Sequence, residues 1–369
     1  MRIAFDQQIF LLQEYGGISR YICGLAKDLS RTSDVSVKII APLHYNSHLA
    51  QLDNTGLVWG WRVPRIPKTL GLVSCSSDRV ARSVMKRFRP DIVHETYFST
   101  ADYAPKRARR LVSVYDMITE RVPSSFSKSG AMTAAKRAAM LRADHVICIS
   151  QSTRRDLLEL FDLPEEKVSV VYLGYDALPI SDVRDTEVAE PPRAPYLLYV
   201  GNRGGYKNFE GLLRAFASSP FLRSYLAIIC FGGGEFTMSE AALIDTLGLK
   251  SPQVQQIGGG DDVLARLYQR AEAFIYPSRY EGFGIPPLEA MSMGCPVICS
   301  DTSSLPEVVG EAGEYFDPAD PESIRAAIET VVQSESRRAE LVAKGRTRCA
   351  VFSWAECARQ TMAIYRSLL

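Results

Sequence analysis

The sequence has almost no net charge, no long apolar run and no closely paired cysteines. Its 43 lysines and arginines face 42 aspartates and glutamates, so the chain offers no electrostatic footprint for a nucleic acid. No apolar run approaches the ~20 residues that a membrane-spanning helix needs. The start, Met1-Arg2-Ile3-Ala4-Phe5-Asp6, reads as a strand and not as a signal peptide. The eight cysteines, at 23, 75, 148, 230, 295, 299, 349 and 357, form no C-x-x-C pair. Cys148, Cys230 and Cys299 lie in apolar runs, where a thiol acts as a small hydrophobe. All eight read as reduced and the compartment as cytoplasmic. No D-x-D of the kind that holds Mg²⁺ on a diphosphate is present, so no metal or other cofactor is expected. No G-x-G-x-x-G follows the first strand, so the NAD reading lacks its main support.

At 369 residues the chain is too long for one hydrophobic core, and two domains are the natural expectation. Short apolar runs alternate with helical patterns. Strands are expected at 3–5, 35–41, 92–93, 111–114, 146–149 and 168–171, with helices at 18–29, 79–88, 131–142 and 152–160. Ser150 is placed to cap the last of these. Residues 177–195 hold four prolines and little apolar periodicity, a linker composition. The rhythm then restarts, with strands at 196–200, 226–231, 273–276, 296–299 and 314–316. Helices follow at 208–217, 239–247, 263–270, 285–293, 321–332 and 337–349, and a last one at about 354–368. The expected architecture is α/β: a doubly wound domain over 1–176, on which the C-terminal helix of about 354–369 packs back, a linker at 177–195, and a second doubly wound domain over 196–353. Two such halves would face a central cleft, with ligands at the carboxyl ends of strands.

Chemistry concentrates in Glu281-Gly282-Phe283-Gly284-Ile285-Pro286-Pro287-Leu288-Glu289, which follows an apolar strand and opens a helix. Unpaired N–H groups at a helix start favour an anion. Gly282 and Gly284 let a ligand approach the backbone. Pro286 and Pro287 are tolerated in a first turn. Glu281 before the helix and Glu289 about one turn inside it set two carboxylates at different depths, one for a sugar ring and one for a group such as a ribose diol. A surface loop with two unrelated acids is the plain alternative. The loop Gly201-Asn202-Arg203-Gly204-Gly205-Tyr206-Lys207-Asn208 follows the first strand of the second half. A guanidinium fork and an ammonium in such a loop suit a diphosphate. Without an anion they have the wrong sign for a helix start. Asp261-Asp262 reads as a helix cap.

These motifs resemble the retaining glycosyltransferases of family 4, which have two Rossmann-like domains (the GT-B fold). The family pattern E-G-F-G-x-P-x-x-E is matched here and continues into Ala290-Met291-Ser292-Met293-Gly294-Cys295-Pro296-Val297. The pattern G-x-R-x-x-x-K-N is matched residue for residue. The resemblance runs over essentially the whole chain and is strongest from 200 to 313. It implies that Arg203 and Lys207 bind the diphosphate and that Gly282, Phe283, Gly284, Ile285 and Glu289 contact the donor. Glu281 would then orient sugar hydroxyls and not attack, and Gly16 and Gly17 would lie near the phosphates and the acceptor. Asp116 would stand at the catalytic aspartate of the strand-end segment H-D-x-x-P. Tyr115 replaces the family's histidine there, a departure familiar among mannosyltransferase-like members. His94, closing another strand, is implied to meet substrate. The resemblance is closest to O-antigen and exopolysaccharide mannosyltransferases. It implies GDP-mannose as donor, with UDP-glucose or UDP-N-acetylglucosamine as alternatives, and a glycan or lipid-linked acceptor. A sugar-nucleotide 2-epimerase and a non-catalytic nucleotide-sugar-binding protein remain further readings.

The first 180 residues carry 25 lysines and arginines against 18 acids. Basic stretches at 79–89, at 106–110 and at Lys136, Arg137 and Arg142 read either as solvated helix faces or as attachment to an anionic membrane surface at the inner face of the cell membrane.

Overall fold

A computed structural model describes residues 1–65, 70–126, 129–179 and 194–369. The chain divides into two compact units: Met1–Gly174 with Phe352–Leu369, and Tyr175–Val351. Most of the expected linker lies outside the described residues.

Unit 1 is built on seven strands: β1 (Arg2–Phe5), β2 (Ser36–His44), β3 (Val58–Arg62), β4 (Ile92–Glu95), β5 (Arg109–Val114), β6 (His145–Cys148) and β7 (Val168–Val170). They are parallel, in the order β3-β2-β1-β4-β5-β6-β7. Unit 2 holds β8 (Tyr196–Val200), β9 (Ala227–Phe231), β10 (Val254–Ile257), β11 (Ala273–Tyr276), β12 (Val297–Ser300) and β13 (Gly313–Phe316), also parallel, in the order β10-β9-β8-β11-β12-β13. Each unit is therefore doubly wound, as expected. Central strands such as Phe274-Ile275-Tyr276 are apolar at consecutive positions because helices cover both faces of a parallel sheet. In each sheet the chain winds outward one way, returns to the middle and winds out the other way. The switch points fall between β1 and β4 and between β8 and β11, where the connecting loops diverge at the carboxyl ends and leave a crevice.

Helices follow from apolar spacing and caps. In Gly17–Leu29 the buried Tyr21, Ile22, Leu25, Ala26 and Leu29 form one stripe. The Ser150 hydroxyl accepts the Thr153 N–H at 3.0 Å and starts Gln151–Leu160, a cap of about 1 kcal/mol. Asp261 and Asp262 do not cap their helix. The cap position is Gly260, and both acids lie in the first turn, where the helix dipole favours them. Asp262 pairs with Arg266 at 3.1 Å.

Two strands had no sequence signal, and both are edge strands. In β3, Gly60 interrupts Trp59 and Trp61. The interruption is required, since a Cβ there would lie 1.7 Å from the Ala41 carbonyl oxygen of β2. In β10, Gln255 and Gln256 are partly exposed, so the apolar run that marks a covered strand is missing.

The helix Trp354–Ser367 packs on unit 1. The Trp354 ring stacks on Tyr21, with centroids 6.3 Å apart. Gly24 makes room for it, because a Cβ at 24 would meet the indole at 2.7 Å. Among the described residues no helix is long and apolar enough to cross a membrane, and seven cysteines are buried free thiols. Trp354→Ala should lower the stability of unit 1 by about 3 kcal/mol, read as an earlier urea transition. An unchanged midpoint would mean that this helix contributes nothing to the unit.

Candidate active site

In unit 2 the switch point brings together two loops distant in sequence, 201–208 after β8 and 277–284 after β11. Lys207 Nζ donates to Glu281 Oε1 at 2.6 Å and to the Tyr276 hydroxyl at 3.1 Å. The ammonium also lies 5.1 Å from the Tyr276 ring centroid and 5.2 Å from that of Tyr206. Burial works against the charge on Lys207, but Tyr276 and Glu281 outweigh it and hold the ammonium above its ordinary value. Burial, reinforced by the Glu281 carboxylate, pushes the Tyr276 phenol up, so it stays neutral.

The Glu281 loop is held from below. Glu281 N–H donates to Ser303 Oγ at 2.9 Å, and the Ser304 hydroxyl lies 2.9 Å from the Glu281 carbonyl and 2.8 Å from that of Phe283. Gly284, at φ 115°, turns the chain into the helix Ile285–Ser292. Pro286 and Pro287 carry no N–H, so Gly284 and Ile285 supply the amides at the mouth of that helix. Glu289 lies one turn inside and is 6 % exposed. The sequence reading missed Tyr276, Ser303 and Ser304. A tyrosine ending an otherwise apolar strand was the available signal for the first.

Arg203, the other cation of the 201–208 loop, is held by its own unit. Its side chain is 2 % exposed and pairs with Glu240 at 2.9 Å. The same guanidinium donates to the carbonyls of Gly232, Gly234 and Glu235 at 3.0, 3.0 and 2.8 Å, and it lies over the Phe236 ring. Gly232, Gly233 and Gly234 all have positive φ, from 70° to 80°, a run that only glycine follows without strain. Arg203 therefore organises the 232–235 loop. Glu240 is held below its ordinary value: burial raises it, and the Thr237 N–H and Arg203 outweigh that. The Thr237–Glu240 capping box was legible as T-x-x-E.

In unit 1, Gly16 is the cap position of Gly17–Leu29. The Gln13 side chain folds across it, 2.3 Å from where a Cβ would sit, and accepts the Ser19 N–H at 3.3 Å. Asp116 is partly exposed, and its Oδ1 accepts the Ile118 N–H at 3.1 Å. Behind it, Lys136 donates to the Asp116 carbonyl at 3.0 Å and pairs with Glu120 at 2.7 Å.

Two implied substrate contacts are buried in unit 1. His94 is 0 % exposed, with Nδ1 2.6 Å from the Tyr365 hydroxyl and Nε2 2.8 Å from the Ser113 hydroxyl. Tyr115 is buried, and its hydroxyl donates to the Thr96 carbonyl at 2.8 Å. His94 is the penultimate residue of β4 and Tyr115 follows the last residue of β5, so chain position alone could not separate an inward ring from an outward one. The basic stretches change likewise. Lys136 is 1 % exposed, and Arg142 forks onto Glu95. Arg79, Arg82, Lys86, Arg87 and Arg89 stay exposed. Among the described residues no group of three or more histidines, cysteines, aspartates or glutamates could hold a metal ion.

Two Rossmann-like units, each a parallel sheet with a switch point, define the class by fold, GT-B. The sequence matches the family described as Glycosyltransferase Family 4 over residues 15–177 and that described as Glycosyl transferases group 1 over residues 183–348. The chain belongs to this family and is a hexosyltransferase. Over 373 residues it is 29 % identical to the O-antigen chain mannosyltransferase B of Escherichia coli, spanning 95 % of this chain and 96 % of that one. Among solved structures, sucrose-phosphate synthase from Thermosynechococcus elongatus superposes with a TM-score of 0.77 at 20 % identity, over 100 % of this chain and 99 % of that one. Anabaena HepE in complex with UDP-glucose gives 0.73 at 18 % identity, over the whole of both chains.

Two outcomes follow. Arg203→Ala leaves Glu240 and several carbonyls without their partner and should destabilise unit 2 by about 3 kcal/mol in urea unfolding. An arginine held out only for a ligand would leave stability unchanged. Burial lowers the His94 pKa to about 3, below the ordinary 6.5. The stability this group contributes is present above pH 6.5 and is lost as pH falls from there towards 3. The melting temperature should therefore already decline between pH 6.5 and 5, and His94→Gln should flatten that slope.

Proposed function

We propose that the chain is a retaining glycosyltransferase that moves mannose from GDP-mannose to a hydroxyl of a glycan or lipid-linked acceptor in cell-surface polysaccharide synthesis. Donor binding is assigned to unit 2 and acceptor binding to unit 1. The observation that carries the reading is the Lys207–Glu281 pair, joined by the Tyr276 hydroxyl and carried on the loop that opens the helix Ile285–Ser292. A nucleoside diphosphate sugar brings an anion for the ammonium and amides, and hydroxyls for the carboxylate. Lys207 then exchanges part of its contact with Glu281 for phosphate oxygens, and Glu281 turns to the sugar. Glu289 holds the ribose, and no metal is needed because Lys207 and the helix start carry the charge of the leaving group. In the step itself the bond from anomeric carbon to phosphate oxygen breaks as the acceptor oxygen bonds to that carbon from the same face. The acceptor proton passes to the departing phosphate, and Asp116 orients the acceptor hydroxyl.

Mannose is favoured because a relative matched over 96 % of its length is described as an O-antigen chain mannosyltransferase. Attachment to the cytoplasmic face of an anionic membrane is supported by the exposed cations Arg79, Arg82 and Lys86, spaced to share one face of Leu70–Phe88.

GDP should raise the melting temperature more than UDP, ADP or dTDP. Glu281→Ala should lower kcat by ~100-fold or more with the GDP shift retained, and Glu289→Ala should shrink that shift. Full transfer activity in Glu281→Ala would refute its role. Conversion of the donor sugar without any acceptor would replace the transferase reading with an epimerase.

A further inference from the structure

The carboxyl ends of β1, β2 and β3 border a cavity of about 280 Å³, lined by Glu14, Tyr45, Arg62, Val63, Pro64 and Arg65. All six belong to unit 1. Glu14 lies in the connection after β1, Tyr45 is the residue after β2, and Arg62 ends β3. The walls are tied together by their backbones: Tyr45 N–H donates to the Phe10 carbonyl at 3.2 Å, Ser47 N–H to Glu14 at 2.9 Å and Val63 N–H to His44 at 2.9 Å. The cavity is thus a fixed feature of the edge where parallel sheets place ligands.

Its chemistry is specific. Arg62 donates to Ser47 Oγ at 3.0 Å and stands 3.7 Å from the Glu14 carboxylate, which turns the fork across the cavity. Arg65 adds a second, exposed guanidinium, so two cations face one acid. Tyr45 is 4 % exposed, and its buried hydroxyl has no hydrogen-bond partner. An unsatisfied buried hydroxyl is costly and uncommon, and a ligand oxygen reaching the wall would satisfy it. Guanidiniums select an oxyanion, while the carboxylate and the phenol suit hydroxyl groups. The volume is close to the lower end of the ~300–1,000 Å³ of small-molecule sites, enough for one monosaccharide unit and too little for a nucleotide sugar.

We propose that this cavity is a subsite for a sugar bearing an oxyanion, either a phosphate ester or a carboxylate, and that it selects acidic acceptors. Only the word acceptor rests on the transferase reading; the binding chemistry stands without it. The test is calorimetry on the full chain with mannose 6-phosphate, glucuronate, mannose and inorganic phosphate. At least one acidic sugar should bind ten-fold or more tightly than both mannose and inorganic phosphate, and which one does so tells ester from carboxylate. Its affinity should fall with added NaCl, about ten-fold in Arg65→Glu and several-fold in Tyr45→Phe, whose shape is conserved. Mannose or inorganic phosphate binding as tightly as the acidic sugars would overturn the proposal, as would unchanged affinity in Arg65→Glu. A GDP-induced rise in melting temperature, measured on the same samples, should survive Arg65→Glu. Its absence from the unsubstituted protein would count against the donor reading alone.

Discussion

A parallel sheet covered by helices on both faces leaves its polar chemistry one place to go, the edge where strands end and loops begin. Everything functional in this chain follows from that constraint. The central strands are mostly apolar, and polar residues gather at carboxyl ends: Asp6 after β1, Tyr45 after β2, Asp116 after β5 and Tyr276 at the end of β11. The switch point in unit 2 then does what sequence distance cannot. It sets Lys207 against Glu281, 74 positions apart.

Two cations of a single motif end in different employment. Lys207 reaches its partners from a loop whose hydrogen bonds leave the ammonium between two rings and a carboxylate. Arg203, four positions earlier, is enclosed by carbonyls that a glycine run turns inward. A planar fork with five donors is well matched to several carbonyls at once, and a compact ammonium is better suited to exchange partners.

The alternation of strand and helix was legible because covered strands are continuously apolar and their helices carry caps such as Ser150. The edge strands β3 and β10 were not, since half-exposed strands carry Gly60 or Gln255 without cost to a core. The Glu281–Glu289 segment was legible from residue types at short spacing. What supports it, Ser303 and Ser304, comes from a loop after the next strand, and no local pattern announces a hydroxyl that will reach two carbonyls 21 and 23 positions away. The burial of His94 and Tyr115 was not legible either, since side-chain direction is a matter that the one-dimensional pattern does not carry.

The helix Trp354–Ser367 gives unit 1 a discontinuous chain. Tyr21 and His94, near the start, find their ring and hydroxyl partners in Trp354 and Tyr365 near the end. During synthesis, which proceeds from the amino terminus at ~5–20 residues per second, the whole of unit 2 emerges from the ribosome before those partners exist. The first unit to be translated is therefore the last to be completed. Until then the groove awaiting Trp354 is a vulnerable apolar surface that a nascent chain must protect.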